Sequence, residues 1–292
     1  MTFTSARLAL LLTLIVLGGI SGARSDELVQ VAPHRSVSGS HSSDSTPPLL
    51  GFLARPIGPG RFPAVVLLHG CIGFNGHDTA AATMLKDWGY VALALDSLGD
   101  ANTCRDRDGD GMLAEAFDAY AGLRYLATQT FVASGRVAVM GYSMGGTAAL
   151  AVGDQTWIVR AARGSFRAMI AYYPACEFST GTLTAPALIL IGEKDDWHHA
   201  DACRKLAAHE SDIGVTRDGA SGTPLDLVVY PDATHAFDYR VSTQRYLGYL
   251  IQYNEAAAGD AEAQVRAFLR RVLGDQPDPV DRLGNGIPDP HR

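Results

Sequence analysis

Residues 137–146 constrain the fold of this chain more than any other segment. A short apolar run at 137–140 leads directly into Gly141-Tyr142-Ser143-Met144-Gly145, which has the pattern Gly-x-Ser-x-Gly. The pattern is typical of a nucleophile elbow, a tight turn between a buried strand and a helix that exposes a serine hydroxyl above a parallel sheet. A Cβ atom at position 141 or 145 would obstruct the backbone in such a turn. The helix that follows would point its N-terminal N–H groups at the serine, so an anion formed there would be stabilised.

Strand-like and helix-like segments alternate along the rest of the chain. An edge strand is predicted at Leu49–Ala54, and buried strands are predicted at 64–68, 90–95, 137–141, Ala168–Tyr172, 187–191 and Leu225–Tyr230. Helical spacing of apolar residues predicts helices over 79–88 and 113–130, after Ser143, and over 265–273. This alternation predicts an α/β fold with a doubly wound, mostly parallel sheet and helices on both faces. Ligands of such a fold bind at the carboxyl ends of the strands.

The two ends of the chain are predicted to lie outside the folded domain. An apolar run near the N-terminus is followed by small residues, which predicts a signal peptide and export to the periplasm or out of the cell. An uncleaved anchor is the alternative, but the run is short for a bilayer span. After cleavage no stable membrane anchor is expected. The predicted division is a signal peptide over 1–23, a serine-rich flexible lead-in over 24–46, an α/β domain over 47–276 and a Pro/Asp/Gly-rich tail over 277–292.

Charge and the acidic segments limit the partners and cofactors. The formal net charge is −7, which offers no basic patch for a phosphate backbone, so nucleic acid is excluded as a partner. Residues 106–111 begin like a calcium-binding loop, but Phe117 stands where the closing glutamate is required. A solvated acidic turn is favoured over calcium binding, and no metal or other cofactor is predicted. A small molecule is the expected partner, and the oligomeric state stays open.

Four cysteines are present, an even number that suits disulfides in an exported chain. Three pairings are possible, and free thiols are a further alternative. Cys71 and Cys104 each follow a predicted parallel strand, so both are expected at the same edge of the sheet. The same reasoning applies to Cys176 and Cys203. We therefore predict the disulfides Cys71–Cys104 and Cys176–Cys203.

A serine nucleophile requires a base, and the base requires a carboxylate that orients it. In elbow-containing folds these groups follow one another in the order serine, acid, histidine. The strand over 187–191 opens into a loop with two adjacent candidates for the acid, Asp195 and Asp196, of which Asp195 is preferred because the side chain of Asp196 should point the other way. Among nine histidines, His235 alone combines the right order with a loop directly after the last core strand. The predicted triad is Ser143, His235 and Asp195.

The remaining site residues are predicted from the strand ends. An oxyanion hole takes one N–H from the residue after the nucleophile and one from the loop after an earlier strand, which predicts Met144 and Cys71 as the donors. His69 is expected to brace that loop or a substrate rather than to act as the base. The candidates for the walls of a substrate pocket are His69, Ile72, Tyr142 and Trp197.

Four motifs occur in an order that resembles the dienelactone hydrolase family of α/β-hydrolases. They are His69-Gly70-Cys71-Ile72-Gly73, Gly141-Tyr142-Ser143-Met144-Gly145-Gly146, Gly192-Glu193-Lys194-Asp195 and Thr234-His235-Ala236-Phe237, within a region of resemblance over residues 49–273. The resemblance implies the α/β-hydrolase fold, a triad at the same three residues and hydrolysis of esters or lactones. The family's namesake enzymes carry cysteine at the position of Ser143 and glutamate at the position of Gly70, so this chain is more similar to serine-dependent, exported members. An exopeptidase of the same fold and an inert binding protein are the alternatives.

Overall fold

The computed structural model describes residues 25–33, 47–97, 104, 110–154, 164–208 and 223–278. Eight strands form one sheet: β1 (Asp26–Val31), β2 (Leu49–Ala54), β3 (Phe62–Leu68), β4 (Val91–Asp96), β5 (Val132–Tyr142), β6 (Ala168–Tyr172), β7 (Ala187–Gly192) and β8 (Leu225–Tyr230). Their order across the sheet is β1-β2-β4-β3-β5-β6-β7-β8. β1 and β2, and likewise β2 and β4, are antiparallel, whereas the pairs from β4 to β8 are parallel. The predicted α/β fold with a doubly wound, mostly parallel sheet is confirmed.

Five helices of the described residues cover the sheet: α1 (Gly76–Asp87), α2 (Asp110–Ala127), α3 (Met144–Ala151), α4 (Ala200–Ala207) and α5 (Glu255–Val272). The central strand β3 is buried at every residue, as expected for an apolar strand that is covered on both faces. The guanidinium of Arg266 on α5 lies 5.6 Å from the ring of Trp88, the residue that caps the C-terminus of α1. The candidate site lies at the carboxyl ends of the parallel strands, where Ser143, Asp195 and His235 follow β5, β7 and β8.

The N-terminal part of the sheet differs from the prediction. Asp26–Val31, placed in the flexible lead-in, pairs along its whole length with Leu49–Ala54 as β1. β2 is therefore an interior strand, and the prediction of an edge strand there was wrong. The main-chain pairing of β1 is supported by burial of Val31 and by an ion pair between Asp26 and Lys86 of α1, with 3.0 Å between Oδ2 and Nζ. Glu27 and Leu28 are both exposed, so the segment lacks the clear alternation of apolar and polar residues that would predict a strand.

A two-stranded ribbon after His235 was not predicted. It consists of β9 (Gln244–Tyr246) and β10 (Tyr249–Ile251), joined by Leu247 and Gly248. Both joining residues have positive φ, 52° and 96°, as in the tight turns that match the twist of a hairpin. Leucine rarely adopts such a φ, so this turn has the usual glycine at its second position but lacks the Asn, Asp or Gly that usually precedes it.

Helix α5 is longer than the apolar stripe over 265–273 indicated. Its N-cap is Asn254, whose side-chain oxygen accepts a hydrogen bond from the N–H of Ala257 at 3.0 Å. The predicted tail begins with ordered contacts, because Asp278 forms a bridge with Arg61 and accepts a 2.5 Å hydrogen bond from Nη1 of Arg136. The rest of the tail, the predicted signal peptide and most of the acidic loop at 106–111 lie outside the described residues.

Both disulfides favoured by the sequence are present, Cys71–Cys104 and Cys176–Cys203. The first ties the loop after β3 to the segment after β4. The second ties a short 3₁₀ helix after β6, Cys176–Phe178, to α4. Within the described residues, no helix combines the length and the apolar character that crossing a membrane requires.

Gly259 offers a test of helix α5. A Cβ atom at this exposed position would meet nothing within 4 Å. We therefore expect Gly259→Ala to raise the free energy of unfolding by about 0.5–1 kcal/mol, because alanine loses less backbone entropy in a helix. Urea unfolding followed by circular dichroism measures the change. The matched control is Ala256→Gly, at another exposed position of α5, which should lower stability by a similar amount. A neutral or destabilising Gly259→Ala would show that this part of α5 is not helical in solution.

Candidate active site

The turn at Ser143 has the geometry of a nucleophile elbow. Ser143 has φ 53° and ψ −114°, and α3 begins at the next residue. A Cβ atom on Gly141 would lie 2.1 Å from the carbonyl oxygen of Gly145, and one on Gly145 would lie 2.4 Å from that of His69. No side chain fits at either position. The strained φ of Ser143 is held by hydrogen bonds from its N–H to Tyr172 O and from Thr147 N–H to its own carbonyl oxygen, both 2.9 Å long.

The structure brings together the three residues of the predicted triad. Ser143 Oγ lies 3.0 Å from Nε2 of His235, and Nδ1 of His235 lies 2.8 Å from Oδ2 of Asp195. All three side chains are buried. This order of contacts puts the imidazole proton on Nδ1, where it donates to the carboxylate, and leaves Nε2 free to accept the proton of the serine hydroxyl.

The two adjacent aspartates after β7 have separate roles. Besides His235, Asp195 binds two backbone N–H groups through Oδ1, those of Trp197 at 2.9 Å and His198 at 2.8 Å. Asp196 points away from the triad and accepts a 3.0 Å hydrogen bond from the N–H of Leu250 in β10. Lys194, the alternative ion-pair partner of either aspartate, instead pairs with Asp232, with 2.7 Å between Nζ and Oδ1.

A cavity of about 170 Å³ opens above Ser143 and is lined largely by aromatic and aliphatic side chains. Of the predicted pocket residues, Ile72, Tyr142 and Trp197 line this cavity. His69 does not, and that prediction was wrong. Its side chain turns into the protein beneath the loop, where Nδ1 donates to the carbonyl oxygen of Gly70 at 2.7 Å. The sequence predicts that His69 lies at the end of a strand, but it does not predict the direction in which the side chain points.

Several wall residues were missed by the sequence analysis. They are Gly70, Asn75, His77, Asp78, Tyr173, Ala236, Tyr239, Val241, Gln244, Tyr246 and Ile251. Tyr173 directly follows β6, so the strand-end rule could have found it. Its hydroxyl donates to Asp238 at 2.8 Å, and its ring packs edge-on against the ring of His235 at 4.7 Å. The residues beyond 240 belong to the ribbon or precede it, and only the unpredicted ribbon brings them to the cavity.

The ribbon β9–β10 roofs the cavity and is fixed to the loop that carries the acid. Trp197 stacks on Tyr249 with 4.5 Å between ring centroids and 13° between planes, and it also contacts the ring of His235 at 4.9 Å. Ile251 forms a parallel bridge with His235. Together with the hydrogen bond from the N–H of Leu250 to Asp196, these contacts attach the ribbon to the loops that carry the acid and the base of the triad.

Of the two predicted oxyanion donors, one lines the cavity and the other adjoins the nucleophile in sequence. Met144 follows Ser143 as the first residue of α3, and Cys71 lines the cavity. A Cβ atom on Gly70 would lie 3.8 Å from Cβ of Ser143, so the loop after β3 touches the nucleophile. Within the described residues, no group of three or more His, Cys, Asp or Glu side chains has the geometry of a metal site.

Two histidines near the triad have shifted pKa values. Burial, followed by repulsion from His235, lowers the pKa of His198 to about 4, so His198 is neutral and adds no positive charge beside the triad. Its Nδ1 donates to Tyr173 O at 2.8 Å. Burial is the largest single effect on the pKa of His77 and acts to lower it, but the 3.1 Å contact of its Nε2 with Asp238 and the charge of Asp78 together leave this pKa raised.

Three carboxyl groups on the first two helices are buried: Glu115 and Asp118 on α2, and Asp78 on α1, of which Asp78 lines the cavity. Burial raises the pKa of Asp118 to about 7, against a hydrogen bond from Ser97 that lowers it. Burial and then repulsion from Asp118 and Asp78 raise the pKa of Glu115 well above its ordinary value. Burial raises the pKa of Asp78 as well. All three shifts favour the protonated carboxyl groups in the folded chain.

The parallel sheet, the elbow and the order of the three triad residues define a protein of the α/β-hydrolase class. A profile of the dienelactone hydrolase family matches residues 49–273, and the chain belongs to this family of hydrolases.

Individual relatives agree with this assignment. A Bradyrhizobium protein described as a probable 2-oxo-3-(5-oxofuran-2-ylidene)propanoate lactonase is 26% identical over 216 residues, which span 64% of this chain and 78% of that protein. A putative dienelactone hydrolase from Klebsiella pneumoniae has a similar structure, with a TM-score of 0.62 at 19% identity, and the match covers 85% of this chain and 100% of the other. A dienelactone hydrolase-like promiscuous phosphotriesterase from metagenomic libraries has a TM-score of 0.63 at 19% identity, with 86% and 100% of the two chains covered. The two structures show that the fold is shared.

The raised pKa of Asp118 predicts how stability depends on pH. The folded state retains a proton that the unfolded chain loses near pH 4, so stability falls as the pH rises from about 4 to 7. Asp118→Asn has no proton to lose. Between pH 5 and 8, the variant should therefore lose less unfolding free energy than the wild type, by on the order of 2 kcal/mol.

Urea midpoints at the two pH values measure the difference. Glu262→Gln replaces an exposed carboxylate on α5 and should leave the pH dependence of the wild type unchanged. An Asp118→Asn variant with the same loss of stability as the wild type would contradict the protonated state of Asp118.

Proposed function

We propose that this protein is a serine hydrolase that cleaves carboxylic esters or lactones through an acyl-enzyme. The observation that carries the proposal is the continuous chain of contacts from Ser143 Oγ through His235 to Asp195. Membership of the dienelactone hydrolase family supports a hydrolase, and the similarity to a probable lactonase supports esters and lactones as the substrate class. Two disulfides are compatible with the oxidising space outside the cytoplasm, and we propose a periplasmic or secreted location.

The first half-reaction forms the acyl-enzyme. Ser143 Oγ attacks the acyl carbon while its proton passes to Nε2 of His235, and the carbonyl electron pair moves onto oxygen. The N–H groups of Met144 and Cys71 are the proposed donors to this oxyanion. Asp195 stabilises the imidazolium that forms. Collapse of the tetrahedral intermediate breaks the bond to the alcohol oxygen, which takes the proton from His235 and leaves, or stays attached to the acyl group when the substrate is a lactone.

The second half-reaction repeats these steps with water. His235 accepts a proton from the water molecule, whose oxygen attacks the acyl carbon, and the proton returns to Ser143 Oγ as the acid is released. The net reaction consumes one water and regenerates the free enzyme. Neutral His198 beside His235 helps here, because a second positive charge would oppose formation of the imidazolium.

The adjacent aspartates give a matched test of the triad. We expect Asp195→Asn to lower kcat for p-nitrophenyl acetate by about 10³–10⁴-fold, because the amide no longer stabilises the imidazolium or fixes its tautomer. Asp196→Asn should retain kcat within about tenfold. Ser143→Ala should abolish turnover and stoichiometric labelling by a fluorophosphonate. Equal losses in the two aspartate variants would contradict the assignment of the acid, whereas labelling of the wild type at Ser143 excludes an inert binding protein. Parallel assays with p-nitroanilides distinguish an exopeptidase.

The size of the cavity predicts the acyl groups that fit. At about 170 Å³ it is close to an engineered protein cavity of about 150 Å³ that holds benzene. We therefore expect efficient hydrolysis of acetyl, butyryl and benzoyl esters of p-nitrophenol and poor hydrolysis of the decanoyl ester. Tyr246→Ala opens the roof and should raise kcat/KM for the decanoyl ester at least about tenfold, since each methylene newly accommodated contributes about 1 kcal/mol.

Phe178→Ala is the control for this series. Phe178 is exposed and does not line the cavity, so its removal should leave the chain-length profile unchanged. If Tyr246→Ala has no effect on the decanoyl ester, then the ribbon does not limit the acyl group.

A further inference from the structure

His69 is buried beneath the active site and has no part in the steps above. It directly follows β3, is 1% exposed and lies outside the cavity. Its Nε2 accepts a hydrogen bond from the N–H of Ser97, at the end of β4, at 3.3 Å. Because an N–H donates to Nε2, the neutral imidazole carries its proton on Nδ1. That proton is donated to the carbonyl oxygen of Gly70 at 2.7 Å.

The oxygen that His69 binds belongs to the same peptide group as the N–H of Cys71. A trans peptide is planar, so the C=O of Gly70 and the N–H of Cys71 point in opposite directions and cannot turn independently. The same oxygen also accepts a 3.0 Å hydrogen bond from the N–H of Gly73. Two donors on one carbonyl oxygen fix the plane of this peptide, and they polarise it so that its N–H becomes a better donor.

The position of the peptide relates this restraint to the chemistry. The Gly70 Cα is close enough to Ser143 that a Cβ atom there would lie 3.8 Å from the Cβ of the serine. The peptide group therefore borders the nucleophile. A displacement of its N–H group by a few tenths of an ångström would raise mainly the energy of the transition state, because the negative charge on the substrate oxygen develops there.

We propose that His69 is a positioning residue, which holds the Gly70–Cys71 peptide so that the N–H of Cys71 faces the oxyanion of the substrate bound at Ser143. The inference rests on the proposed serine-hydrolase function and deepens it. His69 touches no reacting atom and acts through the peptide alone.

Glu115, on α2, contacts the imidazole of His69 at Nδ1, the same atom that contacts Gly70 O. Its carboxyl group is fully buried, and Oε1 lies 3.0 Å from Nδ1 of His69. An ionised carboxylate at this distance would compete with Gly70 for the Nδ1 proton. Burial, together with repulsion from Asp118 and Asp78, raises the pKa of Glu115 well above its ordinary value, which favours the neutral carboxyl group. Oε1 forms no hydrogen bond with the imidazole, and the Nδ1 proton is donated to Gly70 O.

Two amide substitutions separate the two hydrogen bonds of His69. In His69→Asn the side-chain NH₂ takes the place of Nδ1–H and can still donate to Gly70 O, whereas the partner of Ser97 is lost. In His69→Gln the side-chain oxygen takes the place of Nε2 and can still accept from Ser97, whereas the donor to Gly70 is lost. We expect kcat for p-nitrophenyl butyrate to fall by about 10–10²-fold in His69→Gln with KM nearly unchanged, and by less than about threefold in His69→Asn.

Two measurements exclude a merely structural effect. Stoichiometric titration with a fluorophosphonate counts the folded, reactive sites, and kcat is referred to that count, so a poorly folding variant remains interpretable. Affinity for a phenylboronic acid, whose tetrahedral adduct with Ser143 places an oxygen at the oxyanion position, should fall in His69→Gln in parallel with kcat/KM. Affinity for the product butyrate should not change.

Equal losses of kcat in the two variants, or a loss that disappears after the active-site count, would overturn the role of His69. A loss in His69→Gln without weaker boronate binding would overturn it as well. Failure of the underlying function is recognised separately, because Ser143→Ala would then retain esterase activity. If Ser143→Ala is inactive and His69→Gln is fully active, the serine-hydrolase function stands and only the positioning role falls.

Discussion

Contact between the backbone of the elbow and the end of β3 is the constraint on which the site depends. The absence of a side chain on Gly145 allows the turn at Ser143 to pack against the carbonyl groups of Leu68 and His69, and the absence of one on Gly141 makes room for the carbonyl group of Gly145. Nucleophile and oxyanion loop are thereby held together by main-chain packing, which tolerates much smaller displacements than contacts between flexible side chains. The strained φ of Ser143 costs on the order of 1–2 kcal/mol, and the hydrogen bonds around it sustain that conformation. Tyr173 and Ala236, also with positive φ, line the same cavity.

Much of this site could be read from the sequence because its parts are local. Ser143, Asp195 and His235 each lie in a turn after a parallel strand, and the carboxyl ends of such strands meet at one edge of a sheet. The ribbon could not be predicted in the same way. Its strands have three residues each, its turn uses Leu247, and it is stabilised by distant partners such as Trp197 and Asp196. Burial against distant residues decides such elements, and no local pattern reports it.

His69 and β1 show two other limits of sequence reasoning. The strand-end rule correctly places His69 at the active-site edge, but only the backbone dihedrals decide whether its side chain enters the cavity or lies beneath the loop. β1 forms although Glu27 and Leu28 are exposed, because main-chain pairing with β2 and the ion pair of Asp26 with Lys86 compensate for the modest apolar burial. In both cases the deciding energy comes from tertiary contacts.

The disulfide Cys71–Cys104 connects the wall of the cavity to the segment that follows a neighbouring strand. Cys71 supplies a wall of the cavity and the proposed oxyanion donor, while its sulfur holds the segment that follows β4. Cys176–Cys203 similarly ties the segment after β6 to the helix after the acid loop. The two links differ in their surroundings, because Cys71 lines the cavity, whereas Cys176 and Cys203 are buried among the residues of the hydrophobic core. Reduction of the first link would therefore release a wall of the cavity from the segment after β4, whereas reduction of the second would loosen contacts within the core.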